Sequence, residues 1–202
     1  MALTAMLVLV LSAAIGFAGG DSKAEPAIPR LSRETFGKLR NTFNAGSQGP
    51  RIIVFFSSGC ASCDTGSAAL QSMLEKVHGP LTLFAVWEPI FSTDSPPTPE
   101  MLDNLEDPRV HQLWDPDHIM SDEMRASELA HPSSPPQART RTGSQPTGIM
   151  FDTVALFAPG ARWEATLPPA DYLEVGLQAQ LGALRKRLEA VGRAVPVKGH
   201  TP

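Results

Sequence analysis

Cysteine is almost absent from this chain. Of its 202 residues only Cys60 and Cys63 carry a thiol, which excludes a disulfide-stapled scaffold and a zinc site built from four cysteines. A mixed zinc site would have to recruit His78, His111, His118, His131 or His200, and none of these is paired at a usual ligand spacing. A dominant charge is lacking too: 17 basic against 21 acidic residues leave a net charge of −4 and a pI near 5.7. That balance gives no electrostatic footing for nucleic acid or for an anionic membrane surface. No Gly-x-Ser-x-Gly elbow occurs, so the pattern offers no support for a serine hydrolase. What remains is ordinary for a globular protein, with 42% hydrophobic and 19% charged residues, and a length that suits one domain with a proper core rather than two.

The first long apolar run is N-terminal. Met1 to Gly20 contains no charged residue, ends in small residues, and the first charge is Asp21. It reads as a secretory signal peptide or, if uncleaved, as a membrane anchor just long enough to span a bilayer. No cysteine follows it closely, which excludes a lipoprotein anchor. Either reading puts the folded part outside the cytoplasm, where a cysteine pair can be held oxidised, and leaves the membrane no role beyond this segment.

Both cysteines fall in one stretch. Ile52 to Phe56 is an apolar, β-prone run that reads as a buried strand; Ser57, Ser58 and Gly59 interrupt it; then Ala69, Leu70, Met73, Leu74 and Val77 mark one side of a helix. Cys60 and Cys63 therefore open a helix directly after a strand. Unpaired N–H groups and partial positive charge in the first helical turn favour a thiolate at Cys60, and Cys63 lies one turn on, within reach of a disulfide.

Elsewhere the pattern alternates. Residues 21–30 read as a linker, Leu31 to Phe43 as a helix capped by Ser32, the cysteine helix as ending near His78 before Gly79-Pro80, and Leu81 to Trp87 as a second strand parallel to the first. Thr93 to Pro99 reads as a loop, Glu100 to Leu105 as a helical turn, Arg109 to Trp114 as an edge strand, and His118 to Leu129 as a surface helix capped by Asp117. The polar stretch from His131 to Thr147 has almost nothing to bury and reads as a mobile loop. Ile149 to Phe157 then forms a strand with Ala161 to Ala165 as its hairpin partner. A last helix starts at Pro168-Pro169 with an apolar stripe from Tyr172 to Val191, and residues 193–202 form a tail.

Strand, short turn and Cys60-Ala61-Ser62-Cys63 opening a helix resemble the active-site segment of the thioredoxin superfamily. The resemblance covers about residues 31–192 and implies a thioredoxin-like three-layer α/β/α sandwich with a mixed central sheet, here with an insertion at about 92–147 after the second strand of the motif. It also implies that Cys60 is the exposed attacking thiolate and Cys63 the buried resolving cysteine, with no bound cofactor. The family's usual Trp-Cys-Gly-Pro-Cys is replaced by Gly59-Cys60-Ala61-Ser62-Cys63, and the dipeptide between the cysteines helps to set redox poise. The family's cis-proline, which lies opposite the cysteines, has no counterpart; Asp152, between Phe151 and Thr153, stands about where it belongs. Asp152 thereby becomes a candidate proton acceptor or metal ligand, or else a strand cap bonded to local backbone. Facing the thiols, its charge would raise their pKa.

Thr153, Trp87 and Glu88 are further candidates, since ligands of such sheets gather at strand C-termini. Glu88 reads more simply as a solvated strand-end charge, Asp64 as a stabiliser of the first helical turn, and Trp114-Asp115-Pro116-Asp117-His118 as turn-and-cap chemistry. Two functions follow. The first is an extracytoplasmic thiol-disulfide oxidoreductase exchanging disulfides with protein partners; the alternative is a binding protein whose two thiolates carry Cu(I) or Hg(II). Copper assembly factors of thioredoxin-like fold use Cys-x-x-x-Cys and a distant histidine, a pattern this chain does not match.

Overall fold

The computed structural model describes residues 28–130 and 148–194. The expected signal or anchor segment, most of the linker, the polar loop at 131–147 and the end of the tail lie outside the described residues. Among those described, no helix is long and apolar enough to cross a membrane.

The chain runs α1 (Phe36–Ala45), β1 (Arg51–Phe56), α2 (Ala61–Leu74), β2 (Thr82–Trp87), α3 (Pro99–Asp103), β3 (Val110–Trp114), α4 (Ile119–Ala130), β4 (Thr153–Phe157), β5 (Tyr172–Val175) and α5 (Leu177–Ala194). The strands form one mixed sheet in the order β3-β2-β1-β4-β5. β1, β2 and β3 are parallel, and β4 and β5 are antiparallel to their neighbours. This is an α/β fold with the mixed central sheet that the sequence implies, and β3 is an edge strand as its pattern suggests.

Because β1 is central, all six of its residues are buried. Alternate residues then serve opposite faces of the sheet. Ile52, Val54 and Phe56 pack with Leu70, Met73 and Leu74 of α2 and Leu177, Leu184 and Leu188 of α5. Ile53 and Phe55 pack with Leu39 and Phe43 of α1 and Met120 and Met124 of α4. Three layers follow from that alternation alone. β1 and β2 end in register, Phe56 beside Trp87, so the loops after them meet at one edge of the sheet, and Cys60 lies there.

Several expected boundaries move. Leu31 is core rather than helix, its N–H bonded to the Trp114 carbonyl at 2.7 Å, and Pro29 accepts from the Trp114 N–H at 2.9 Å. The end of the expected linker thus covers the open side of β3. Ser32 and Thr35 exchange hydroxyl–backbone bonds in a turn before α1, and Thr35 takes the capping position. The cysteine helix stops at Leu74, short of His78. Arg109 donates to the Leu74 and Val77 carbonyls at 2.8 and 2.7 Å, a cation on a helix C-terminus, while Asp107 holds its guanidinium.

Asp117 does not cap α4. Asp115 takes the Met120 N–H at 2.7 Å, and Asp117 instead pairs with Arg30 on the surface. The largest correction concerns the end of the chain. Ala161 to Ala165 is not a strand; Tyr172 to Val175, expected in the last helix, pairs with β4, and α5 begins at Leu177. Gly176, at φ +83, separates strand from helix.

The connection from β4 to β5 is a long loop anchored by side chains rather than a tight hairpin. Trp163 is buried edge-on against Phe36 and Phe43, with centroids 5.2 and 5.6 Å away. Its Nε1 donates to Glu123 at 3.1 Å, and Asn44 binds its backbone N–H and carbonyl at 2.8 and 2.9 Å. Trp163→Ala should therefore destabilise the fold by roughly 3–5 kcal/mol in denaturant unfolding. A loss under about 1 kcal/mol, the size of a surface substitution, would show that this loop does not close the core.

Candidate functional site

Cys60 occupies the N-cap of α2, with extended backbone (φ −108, ψ 104). The loop before it is fixed by hydroxyls. Ser57, fully buried, donates to Asp94 Oδ2 at 2.9 Å and accepts the Gly59 N–H at 3.2 Å; Ser58 donates to the Ser95 carbonyl at 2.6 Å. Asp94 Oδ2 also takes the N–H groups of Ile90 and Phe91, at 2.8 and 3.2 Å. Burial works against this carboxylate, but those three donors hold it below the usual carboxylate range. Gly59 is required by close approach, since a Cβ there would come within 2.5 Å of an Asp94 oxygen. Asp94, Ser57 and Ser58 escaped the sequence reading; two adjacent serines before a cysteine pair, and one carboxylate in a Pro/Ser loop after the next strand, were the available signal.

The cysteines are free thiols, Cys60 half-buried and Cys63 fully buried. A hydrogen bond from the Cys63 thiol holds Cys60 down to about 6. Burial opposes this shift, whereas the Ser62 hydroxyl, with Oγ 3.1 Å from Cys60 Sγ, and the Cys63 N–H reinforce it. Cys63 moves the other way, pushed far up by its bond to Cys60, by burial and by the Cys60 charge. One sulfur is therefore a thiolate near neutral pH and the other a protonated donor beneath it. Asp64, in the first turn of α2, accepts from Asn104 Nδ2 at 2.7 Å.

Asp152 lies one residue before the Phe55–Thr153 pair of β1 and β4, and its charge raises both cysteines. It has left-handed backbone, φ +48. Its carboxylate accepts the Leu177 N–H at 2.9 Å, and its carbonyl accepts the Gly176 N–H at 2.7 Å. It thus caps α5 through a partner 25 residues away, not the strand through the local backbone bond expected, and its charge acts on both thiols. Burial raises its pKa; the Leu177 N–H and the Ser62 hydroxyl pull the other way.

The remaining candidates separate. Trp87 is a core residue, its ring 5.0 Å from Phe56 and its Nε1 bonded to Gln112 at 3.0 Å. Thr153 is buried and donates to the Phe151 carbonyl at 2.8 Å. Glu88 is no solvated charge. It is fully buried on the α4 face, where Ser121 donates its hydroxyl at 2.6 Å and its N–H at 3.2 Å, and His118 Nδ1 lies 3.1 Å away. Burial pushes Glu88 up to about 7 against the pull of His118 and Ser121, and the Glu88 bond raises His118. The segment around Asp115 and His118 therefore combines cap chemistry with a buried acid–imidazole pair, and His118 does not join the cysteines. Among the described residues, no group of three or more His, Cys, Asp or Glu side chains could hold a metal ion.

No family model matches the chain, and no curated protein matches it by sequence. Among solved structures it is similar to a thioredoxin-like protein determined in solution in its oxidised form, at 15% identity and a TM-score of 0.45, over 71% of this chain and 79% of that one. It is also similar to Trxlp from Edwardsiella tarda EIB202, at 13% identity and a TM-score of 0.32, over 80% of this chain and 98% of that one.

The buried acid has a measurable signature. Glu88 is protonated more readily in the fold than in the unfolded chain, so its stabilising contribution is complete below the ordinary carboxylate range and is lost as pH rises through about 7. His118, also raised, loses its contribution in the same direction, as does Asp115, which burial raises. With both thiols removed (C60A/C63A), thermal stability should fall as pH rises from about 5 to about 8. Adding E88Q, which removes the charge and keeps an acceptor for Ser121, should abolish most of that fall. An undiminished slope would place its source elsewhere.

Proposed function

We propose that this chain is a thiol-disulfide oxidoreductase acting outside the cytoplasm on protein thiols and disulfides. The observation that carries the reading is the pairing of a half-buried Cys60 thiolate at the α2 N-cap with a fully buried, protonated Cys63 below it. Cys60 attacks one sulfur of a partner disulfide, giving a Cys60–partner mixed disulfide and a partner thiolate. Cys63 passes its proton to the partner thiolate released first and attacks Cys60 Sγ, and the second partner thiolate leaves. The partner gains two electrons and the Cys60–Cys63 pair loses them; a partner dithiol runs the same steps backward. The electrons come from partner thiols, so no bound cofactor is needed.

A polypeptide substrate is favoured by Phe91. This ring is 58% exposed and sits on the loop that Asp94 ties to Ser57, beside the cysteine turn. The cysteine pair and the apolar N-terminal segment together support the extracytoplasmic location. Carriage of Cu(I) or Hg(II) needs both sulfurs ionised, and the burial of Cys63 disfavours that.

Iodoacetamide alkylation of the reduced protein should titrate Cys60 with a midpoint near pH 6. In C63A, which lacks the resolving sulfur, a stable mixed disulfide with a disulfide-bonded peptide should accumulate, and C60A should form none. A redox titration in metal-free buffers should give a reversible midpoint within roughly −270 to −120 mV, the span of catalytic pairs. A pair locked far below that span is a structural bridge. A pair that stays reduced and takes up one Cu(I) is a metal carrier, and either result overturns the proposal.

A further inference from the structure

The Asp94 carboxylate joins the loop after β2 to the turn that carries Cys60. Its Oδ2 takes the Ser57 hydroxyl at 2.9 Å and the Ile90 and Phe91 N–H groups at 2.8 and 3.2 Å. One residue on, the Ser58 hydroxyl donates to the Ser95 carbonyl at 2.6 Å, so consecutive residues of the turn are tied to consecutive residues of the loop. Ser57 is fully buried and has one hydroxyl proton. With that proton committed to Asp94, its oxygen is left as an acceptor, and it receives the Gly59 N–H at 3.2 Å. The Ser57 carbonyl takes the Cys60 N–H at 3.2 Å, and the Cys60 carbonyl takes the Cys63 N–H at 3.0 Å. Asp94 thus heads a run of hydrogen bonds that reaches both cysteines, with every donor pointing toward it. The carboxylate also lies against the turn itself: a Cβ on Gly59 would come within 2.5 Å of its Oδ1 and 2.8 Å of its Oδ2.

From this geometry we propose that Asp94 is a positioning residue of the exchange reaction: acting through Ser57, it sets the turn at 57–60 that holds Cys60 Sγ where Cys63 can attack it. The inference rests on the exchange reading above and concerns its second step, closure of the Cys60–Cys63 disulfide. In that step the Cys63 sulfur forms a bond to Cys60 Sγ and the bond from Cys60 Sγ to the partner sulfur breaks. The partner leaves as a thiolate with the electron pair of the broken bond, and the Cys63 proton goes to the partner thiolate released first. Such an attack needs the reacting orbitals aligned, and an error of about 1 Å in placement can cost roughly a hundredfold in rate.

The two sulfurs are held by different means. Cys63 lies inside α2, fully buried in the core with Leu70, Met73 and Leu74. Cys60 precedes the helix as its N-cap, half-buried and with extended backbone. Its place therefore depends on the turn before it, and Ser57, Ser58 and Gly59 bring no hydrocarbon side chain to pack that turn down. Asp94 supplies by hydrogen bonds the hold that packing does not. Its donors keep the carboxylate ionised well below the range in which Cys60 titrates, so the tie is present wherever the thiolate is. The largest influences on the ionisation of Cys60 come from Cys63, burial, Ser62 and Asp152; Asp94 acts on position instead.

The test mixes the reduced full chain with the chromogenic disulfide dithiobis(nitrobenzoate) at about pH 8, where Cys60 is a thiolate. Attack by Cys60 releases one coloured thiolate at a rate set by reagent concentration; closure by Cys63 releases the second at a rate that is not. D94A should slow closure by roughly tenfold or more, whereas attack, which needs only an accessible thiolate, should change far less. D94N, which keeps an acceptor oxygen for Ser57 and the two N–H groups, should recover most of the closure rate. G59A reaches the same end by another route, because its methyl group displaces the Asp94 carboxylate. It should slow closure as D94A does, and G59A/D94A should be no slower than D94A alone. Closure in D94A within about twofold of wild type, or additive slowing in G59A/D94A, overturns the proposal. Equal slowing in Trp163→Ala also overturns it, since that change loosens the fold near Arg51, at the other end of β1. A small synthetic disulfide reports these phases whether or not protein partners are exchanged; failure of the exchange reading shows instead as the absence of peptide mixed disulfide in C63A.

Discussion

Everything at this site depends on β1 being buried on both faces. A strand with helices above and below has no solvent side, so its six positions favour side chains that pack, and a polar one must find its partners inside the fold. Arg51 tests that constraint at one end. It is fully buried, donates to the Gly49 and Ala161 carbonyls, and lies over Phe43 with its guanidinium 4.8 Å from the ring centroid. Burial lowers its pKa, and Asp171 partly restores it. At the other end the apolar run stops at Phe56, and the chain can leave the sheet only over its C-terminal edge. The position of Cys60 at a helix N-terminus is thus a consequence of where β1 ends.

The loops at that edge are held by side-chain acceptors rather than by apolar contact. Asp94 gathers Ser57 and two backbone N–H groups, Asp115 gathers the start of α4, and Asp152 gathers the start of α5. All three are carboxylates receiving donors that a strand or helix end leaves unpaired. The thiolate at Cys60 belongs to the same series, with a sulfur instead of a carboxylate at the N-terminus of α2. The balance differs from place to place: donors outweigh burial at Asp94, burial outweighs them at Asp115 and Asp152, and at Cys60 the Cys63 thiol is the donor that tips it.

The layers, the parallel strands and the cysteine turn were legible in the sequence because long apolar runs bounded by Ser, Gly and Pro admit few readings. Short elements were not. Tyr172 and Leu173 fit an apolar stripe that continues through Leu177 and Leu181, so a four-residue strand was absorbed into a helix; Gly176 was the break that separated them. Trp163 suggested a hairpin partner because its neighbours alternate, whereas it is an isolated anchor in a loop. Asp152 was legible as the residue opposite the cysteines but not as the cap of α5, since its partner Leu177 is 25 residues away. Glu88 read as a solvated charge because nothing local reveals that Ser121 and His118, some 30 residues on, enclose it. Caps formed by distant residues are fixed by tertiary packing, and sequence spacing carries no trace of them.

Glu88 and Asp152 lie toward opposite faces of the sheet, yet they share a connection. The Ser121 hydroxyl that donates to Glu88 also accepts the Met150 N–H at 2.7 Å, and Met150 is two residues before Asp152. On the other face the Leu177 N–H holds the Asp152 side chain. The carboxyl beside the thiols is therefore braced through its chain from α4 and through its oxygen from α5. His118 and Asp152 are the non-glycine residues with positive φ among those described, at +55 and +48, and each such conformation costs on the order of 1 kcal/mol or more. Both strained residues are members of this bonded set. The His118–Glu88 hydrogen bond and the two N–H bonds at Asp152 offset that cost. The buried acid on the far face is part of what keeps the near one in position.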